Sequence, residues 1–310
     1  MTDAVKSILS HYSGKNVAVC TNLARILNHG RLGGTGKLVI LPVDQDREHG
    51  PGRSFAVNPA AYNPEYLFRL AVEARFSALA MPLGSLQLCA RDYAGDVPLI
   101  LKINSNDSMA KPADYCSALT ATVDQAVKLG CAGVGYTIYP GSALCNQMYE
   151  QLALLAAQVN NAGMAMVVWS YARGIGIPKI GEESGNEALD IIAYAARIAA
   201  LHGADIIKVK PPKNLITPVC KNTYGDLAKD ELRQRVHHVV NEAAFAGRRI
   251  VVFSGGSKKT DKDSLEEIRE IAQGGGFGSI IGRNSFQRSW DDALAFLDQV
   301  FSIYEEQVKA

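Results

Sequence analysis

No apolar run in this 310-residue chain reaches the roughly 18 residues of a membrane span. Neither sign of charge is in excess. The 32 basic and 31 acidic residues leave a formal net charge of +1, which provides no global field to attract nucleic acid or an anionic membrane surface. An anion site, if present, must be local. The opening residues, MTDAVKSILSHYSGKN, lack the long apolar core of a secretion signal, so a cytosolic location is expected. The six cysteines (Cys20, Cys89, Cys116, Cys131, Cys145 and Cys220) show no CxxC spacing and read as buried, reduced thiols rather than a disulfide framework.

Three common cofactor fingerprints are also missing. The Gly-rich stretch HGRLGGTG (29–36) lacks the GK[ST] ending of a phosphate loop and precedes a strand-like run instead of following one. Residues 44–52, DQDREHGPG, contain no GxGxxG where an open dinucleotide-binding sheet would carry it. The histidines, His11, His29, His49, His202, His237 and His238, form no HxxxH or comparable ligand cluster. Neither a metal nor an organic cofactor is expected.

What the chain does contain is a repeated alternation. Strand-like runs cover 37–45, 78–82, 98–104, 133–139, 164–171, 204–210, 249–256 and 278–284, several of them almost continuously apolar, as befits strands buried on both faces. Amphipathic stretches with helical spacing lie between them, including 64–76, 123–130, 148–163, 189–203 and 263–275. Several of these end at a glycine. Eight βα repeats predict an α/β fold of the (β/α)8 TIM-barrel type, with a doubly wound open sheet as the weaker alternative. No repeat or Pro-rich linker divides the chain, so a single domain is expected: residues 1–36 as a cover over the barrel floor and 37–310 as the barrel.

In such a barrel the chemistry lies where strands end and βα loops begin. Those points carry Asp44 and His49, Lys102 and Asn104, Tyr136, Trp169 with Tyr171 and Arg173, Lys208 and Lys210, Ser254-Gly255-Gly256, and Gly282-Arg283. Alternation puts Lys208 and Lys210 on one face. If that face is the interior, desolvation and mutual repulsion depress an amine's pKa and create a nucleophile; the same spacing also fits two structural lysines in salt bridges. Trp169, Tyr171 and Arg173 share a parity that points an aromatic pair and a cation into one space. Glycines at the last two strand ends allow backbone amides to approach a phosphate, with Lys258 and Lys259 close behind.

Six segments in order, LPVDQDREHGPG, GVGYTIYPGS, VVWSYARG, GADIIKVK, SGGSKK and IGRNSFQR, resemble the archaeal-type class I fructose-bisphosphate aldolases, a group that includes bacterial enzymes. The resemblance runs over nearly the whole chain. It implies a (β/α)8 barrel that reversibly cleaves fructose 1,6-bisphosphate through a Schiff base, with no cofactor, a phosphorylated sugar as ligand and homo-oligomeric assembly. By motif it implies Lys208, not Lys210, as the Schiff-base lysine, Tyr171 as the proton donor and Asp44 as its acidic neighbour. It further implies substrate or phosphate contacts at Gln45, His49, Trp169, Ser170, Arg173, Ser254, Gly255, Gly256, Gly282 and Arg283. Arg173 or a lysine such as Lys102 is expected to reach the second phosphate, and Lys210 is counted among the substrate-binding residues. This chain departs from the family in carrying Asp46 where members usually have Gly, and Gln45 where many archaeal members have His. Segment 174–187 is longer than in compact archaeal members and is expected at the rim. Related lysine-dependent lyases or transferases, and phosphosugar binders without catalysis, share the scaffold.

Overall fold

Eight short strands, β1 (Leu38–Pro42), β2 (Ala78–Met81), β3 (Leu99–Lys102), β4 (Gly133–Ile138), β5 (Ala165–Ser170), β6 (Ile206–Val209), β7 (Ile250–Ser254) and β8 (Gly278–Ile280), close into a parallel barrel. Each pairs with its neighbours in sequence, and β8 returns to pair with β1 through Leu38–Gly278 and Ile40–Ile280. The computed structural model describes all residues except 108, 110–113, 226, 228, 256–259 and 310. All eight strand-like runs become strands. The runs outlast the paired segments at their C-terminal ends, because residues such as Asp44, Tyr171, Lys210 and Gly255 leave the ladder to form the mouth.

Period-2 alternation sorts the barrel wall into two cores. Val39, Leu41, Leu79, Met81, Val134, Tyr136, Val168, Ile207 and Phe253 face outward and pack beneath the helical ring. Leu38, Ile40, Ala78, Ala80, Ile100, Ala132, Ala165, Val167, Ile206, Ile250 and Val252 face inward and fill the lumen with Trp169. The outer layer includes helices Pro64–Glu73, Val123–Lys128, Cys145–Asn161, Leu189–Leu201, Asp261–Gln273 and Trp290–Lys309. Four of them stop as their sequences predict: Gly130 (φ 66°), Gly163 (φ 75°), Gly203 (φ 88°) and Gly275 (φ 88°) take the left-handed conformation that ends a helix with little strain.

Space inside the lumen is uneven. Gly135 on β4 stands opposite Lys102 on β3, and a methyl group there would come within 2.7 Å of the Trp169 ring and 3.0 Å of the Lys102 stem. A bulky indole and a lysine thus share one layer of the barrel because the third wall position is bare.

Before β1 lie helices α1 (Asp3–Ser10) and α2 (Val17–Leu27), capped by Thr2 and Asn16, whose side-chain oxygens accept from Val5 N and Val19 N. Their apolar faces, with Val5, Ile8, Val19, Leu23, Ile26 and Leu27, join the inward-facing core and close the barrel floor. The following loop, 29–36, is a series of turns at that floor, where Thr2 donates to the Gly34 carbonyl.

Polar ties hold the floor in place. The buried Tyr12 hydroxyl donates to the Asp205 carbonyl (2.7 Å) and accepts from Ile250 N–H (3.2 Å), while Lys15 pairs with the Asp205 carboxylate at 2.9 Å. Removing one hydroxyl would strand two buried backbone groups. Tyr12→Phe is therefore expected to lower the unfolding free energy by roughly 1–3 kcal/mol, seen as a lower urea midpoint with an unchanged m-value. A midpoint equal to that of the parent chain would contradict this account of the floor.

Candidate active site

At the C-terminal end of the barrel a cavity of about 880 Å³ opens among the loops. Lys208 rises into it from the middle of β6, only 4% exposed, and its register beside Trp169 on β5 points both side chains inward. The ammonium nitrogen lies 5.4 Å from the Trp169 ring centre and 5.5 Å from that of Tyr171. Burial pushes this amine down to about 8, against the pull of Asp44 and Glu48, and with reinforcement from the cations Lys102 and Arg283. The expected repulsion from Lys210 needs correction. Lys210 is past the last paired residue of β6, at the rim of the cavity, where Glu187 holds it at 2.6 Å.

Two acids enter from the loop after β1. Asp44, 8% exposed, lines the cavity as the residue preceding the short helix Gln45–His49, and its carboxylate is 3.7 Å from the Lys102 amine. Glu48, one helical turn later, meets Arg173 at 2.6 Å. Burial alone would raise the Glu48 carboxyl, but the Arg173 guanidinium more than offsets it and the carboxyl ends below its usual range. Tyr171 is held well above the ordinary phenol value by burial and by the negative charges of Glu48 and Asp44. It is thus a protonated donor at rest. Tyr139, on the same wall, is pushed up to about 12 by burial and by Glu48.

The opposite side of the cavity is built by the last two strand ends. Ser254, Gly255, Gly282 and Arg283 all line it; Gly256, Lys258 and Lys259 lie outside the described residues. Gly282 must be a glycine for packing reasons, since a Cβ would come within 2.7 Å of both the Pro42 carbonyl oxygen and the Gln45 amide nitrogen. Close approach brings the β1 and β8 loops together. Gln45 and the half-buried His49 both line the cavity, and burial lowers the His49 imidazole, opposed by Glu48 and aided by Arg283, Arg53 and Arg173.

Three candidates are displaced from the site by strand geometry. Ser170 has the parity opposite to Trp169: it is fully buried, and its hydroxyl donates to the Ala195 carbonyl of helix Leu189–Leu201 at 2.8 Å. Tyr136 likewise faces outward, donating to Gln151 at 2.8 Å. Lys102 faces inward but one layer too low. It is buried beneath the cavity without lining it, 5.3 Å from the Trp169 ring, and donates to the carbonyl and side-chain oxygens of Asn104. Asn104 itself is spent on the Thr137 backbone. The expected burial of all six thiols also needs correction: Cys89 and Cys131 are buried, the other four half-buried, and all six are free.

Sequence reading missed Glu48, Thr137, Tyr139 and Glu187, all of which line the cavity. Glu48 left a trace, standing four residues after Asp44, the spacing that one helical turn brings to a common side. Thr137 needed the register that sets it beside Trp169. Glu187 comes from segment 174–187, which forms a small ribbon (Lys179–Ile180 with Glu183–Ser184) and a 3-10 turn ending in this residue.

A closed parallel barrel that keeps a partly desolvated amine at its C-terminal mouth, between a tyrosine and two acids, defines an enzyme with a lysine nucleophile. Comparison narrows the class. The chain belongs to the DeoC/LacD family of aldolases, whose family model matches residues 38–288. It is 37% identical over 265 residues to the fructose-bisphosphate aldolase class 1 of Thermoproteus tenax, covering 84% of this chain and 87% of that protein. It is 33% identical over 303 residues to a probable fructose-bisphosphate aldolase class 1 of Chlamydia muridarum, covering 94% and 86% respectively. Among solved structures it matches an archaeal fructose-1,6-bisphosphate aldolase whose catalytic lysine is covalently bound to the carbinolamine intermediate, with a TM-score of 0.73, 32% identity, and coverage of 90% of this chain and 98% of that one.

The electrostatics are directly testable. Acylation of Lys208, followed by peptide mass spectrometry across pH, is expected to show a midpoint near the value of about 8 that burial imposes. Asp44→Asn is expected to move this midpoint lower still, because it removes an anion that favours the ammonium. An upward move would contradict the arrangement.

Proposed function

We propose that this chain is a class I fructose-bisphosphate aldolase, cleaving fructose 1,6-bisphosphate reversibly to dihydroxyacetone phosphate and glyceraldehyde 3-phosphate. The observation that carries the reading is the inward Lys208 amine, lowered to about 8 by burial, in one cavity with Tyr171, Asp44 and the paired β7 and β8 loops.

In the cleavage direction the neutral Lys208 amine adds to the C2 carbonyl and forms a carbinolamine. Loss of water gives an iminium. Asp44 orients the carbinolamine hydroxyl, and a proton delivered to that hydroxyl lets it leave as water. The C4 hydroxyl then gives up its proton, the C3–C4 bond breaks, and the electron pair flows into the iminium, leaving an enamine on Lys208 and releasing the aldehyde. Protonation of C3 and addition of water return the amine and free the ketone.

Tyr171 is the proton carrier in this scheme. Its raised pKa makes it a phenol at rest, suited to donating toward the hydroxyl or the enamine carbon. Once the iminium has formed, a cation stands where a neutral amine stood, and the phenolate of Tyr171 becomes much less costly. It then has the basicity to accept the C4 proton. Arg173, 5.3 Å from the Tyr171 ring centre, works in the same direction.

The first phosphate is assigned to Ser254, Gly255, Gly282 and Arg283, the second to Arg173, with Gln45, His49, Trp169 and Lys210 completing the contacts; all line the cavity. The free state of all six cysteines fits a reducing, cytoplasmic compartment. Exposed Leu154, Tyr194 and Leu201 on the outer helices favour assembly into a homo-oligomer.

Borohydride reduction in the presence of dihydroxyacetone phosphate is expected to add one covalent adduct to the intact mass, and Lys208→Met to abolish it. Tyr171→Phe is expected to retain the adduct while slowing cleavage by about 10²–10⁴-fold. A chelator is expected to leave turnover unchanged. An adduct that survives Lys208→Met would reject the assigned nucleophile, and turnover of other phosphorylated ketoses with none of fructose 1,6-bisphosphate would reject the substrate.

A further inference from the structure

We propose that Glu48 is a positioning residue that acts through Arg173, fixing the guanidinium across the mouth of the barrel so that its remaining donors meet the second phosphate of a bisphosphate substrate. The inference rests on the aldolase reading and gives the same site a determinant of preference for two phosphates over one.

The argument begins with the ring of strands. β1 and β5 are four places apart in the closed circle of eight, so the loops that follow them face each other across the mouth. Glu48 comes from the β1 loop and Arg173 from the end of β5, and their 2.6 Å ion pair therefore spans the opening. Both side chains are largely buried, at 16% and 23% exposed. This is not the solvated surface pair whose contribution is usually small.

Lys208 divides the cavity into two sides. Its strand, β6, lies between β5 and β7, so the Ser254, Gly255, Gly282 and Arg283 group falls on one side of the amine and Arg173 on the other. A ketose bound through C2 at Lys208, with its near phosphate on the β7 and β8 loops, directs its far end away from them. Arg173 stands on that side.

Arg173 is also suitably engaged. Its guanidinium carbon is 5.3 Å from the ring centre of Tyr171 and 5.6 Å from those of Tyr115 and Tyr139. Among the described residues, its side chain makes one hydrogen bond, from Nη1 to Glu48. Nε and Nη2 are left for a tetrahedral anion, which a guanidinium fork suits. Without the carboxylate, only the three tyrosine rings would hold the guanidinium, and its in-plane orientation would have to be fixed on meeting substrate. Holding it in place beforehand is the contribution assigned to Glu48.

Kinetics with fructose 1,6-bisphosphate and fructose 1-phosphate test this directly. Because Glu48 also biases Lys208 and Tyr171, Glu48→Gln is expected to lower kcat for both ketoses alike, while the ratio of the bisphosphate KM to the monophosphate KM rises about tenfold. In an Arg173→Met background the same substitution is expected to add nothing further to that ratio. Glu48→Asp, which keeps the charge but withdraws it by one methylene, is expected to give the same split at smaller size and serves if Glu48→Gln is unstable. Equal KM changes for both substrates, a change confined to kcat, a lowered bisphosphate KM, or additivity with Arg173→Met in the KM ratio would overturn the positioning role while leaving the aldolase reading in place. A wild-type chain that cleaves neither ketose would overturn both.

Discussion

A primary amine inside a closed ring of strands is far from the water that would stabilise its charge, and the upper half of this barrel is organised around that deficit. Desolvation alone favours the neutral base, but an amine with no anions nearby would lose its ability to become an iminium. Asp44 and Glu48 supply the opposing pull and Lys102 and Arg283 the counterweight, leaving Lys208 lowered to about 8. Burial, reinforced by the same two acids, holds Tyr171 as a phenol. The Lys208 amine and the Tyr171 phenol are thus both shifted chiefly by burial and biased by one pair of carboxylates, so a change at either acid would be felt at both.

The mouth of the barrel is dense in charge although the chain as a whole is nearly neutral. Asp44 faces Lys102, Glu48 faces Arg173, and Glu187 holds both Lys210 and Lys213, at 2.6 and 3.1 Å. Pairing of this kind is costly in stability wherever the partners are buried, and an anionic substrate gains from cations already held in place. The stability is drawn from elsewhere, from the outward-facing core beneath the helices and from the floor sealed by α1 and α2.

Much of this was legible before any coordinates. Apolar runs separated by helical spacing and glycine stops determine a (β/α)8 ring almost by themselves, and alternation in ADIIKVK pointed to a lysine with nowhere cheap to go. The failures have a common physical origin. Ser170 and Tyr136 lie near strand ends along the chain, but the pleat sends them to the opposite face from Trp169 and Thr137. Lys102 has the right parity but the wrong height, and height depends on the stagger between neighbouring strands, which no single strand encodes. Glu48 and Glu187 come from loops, where a helical turn or a ribbon determines which side chain turns inward and local pattern says little.

Gly135 shows how far such layering extends. It touches no ligand, yet its missing side chain is what lets the Trp169 indole and the Lys102 stem lie low in the lumen. Any larger residue there would displace the indole or the lysine stem. The shape of the cavity floor at Trp169 is therefore governed from below, by a residue that does not itself line the cavity.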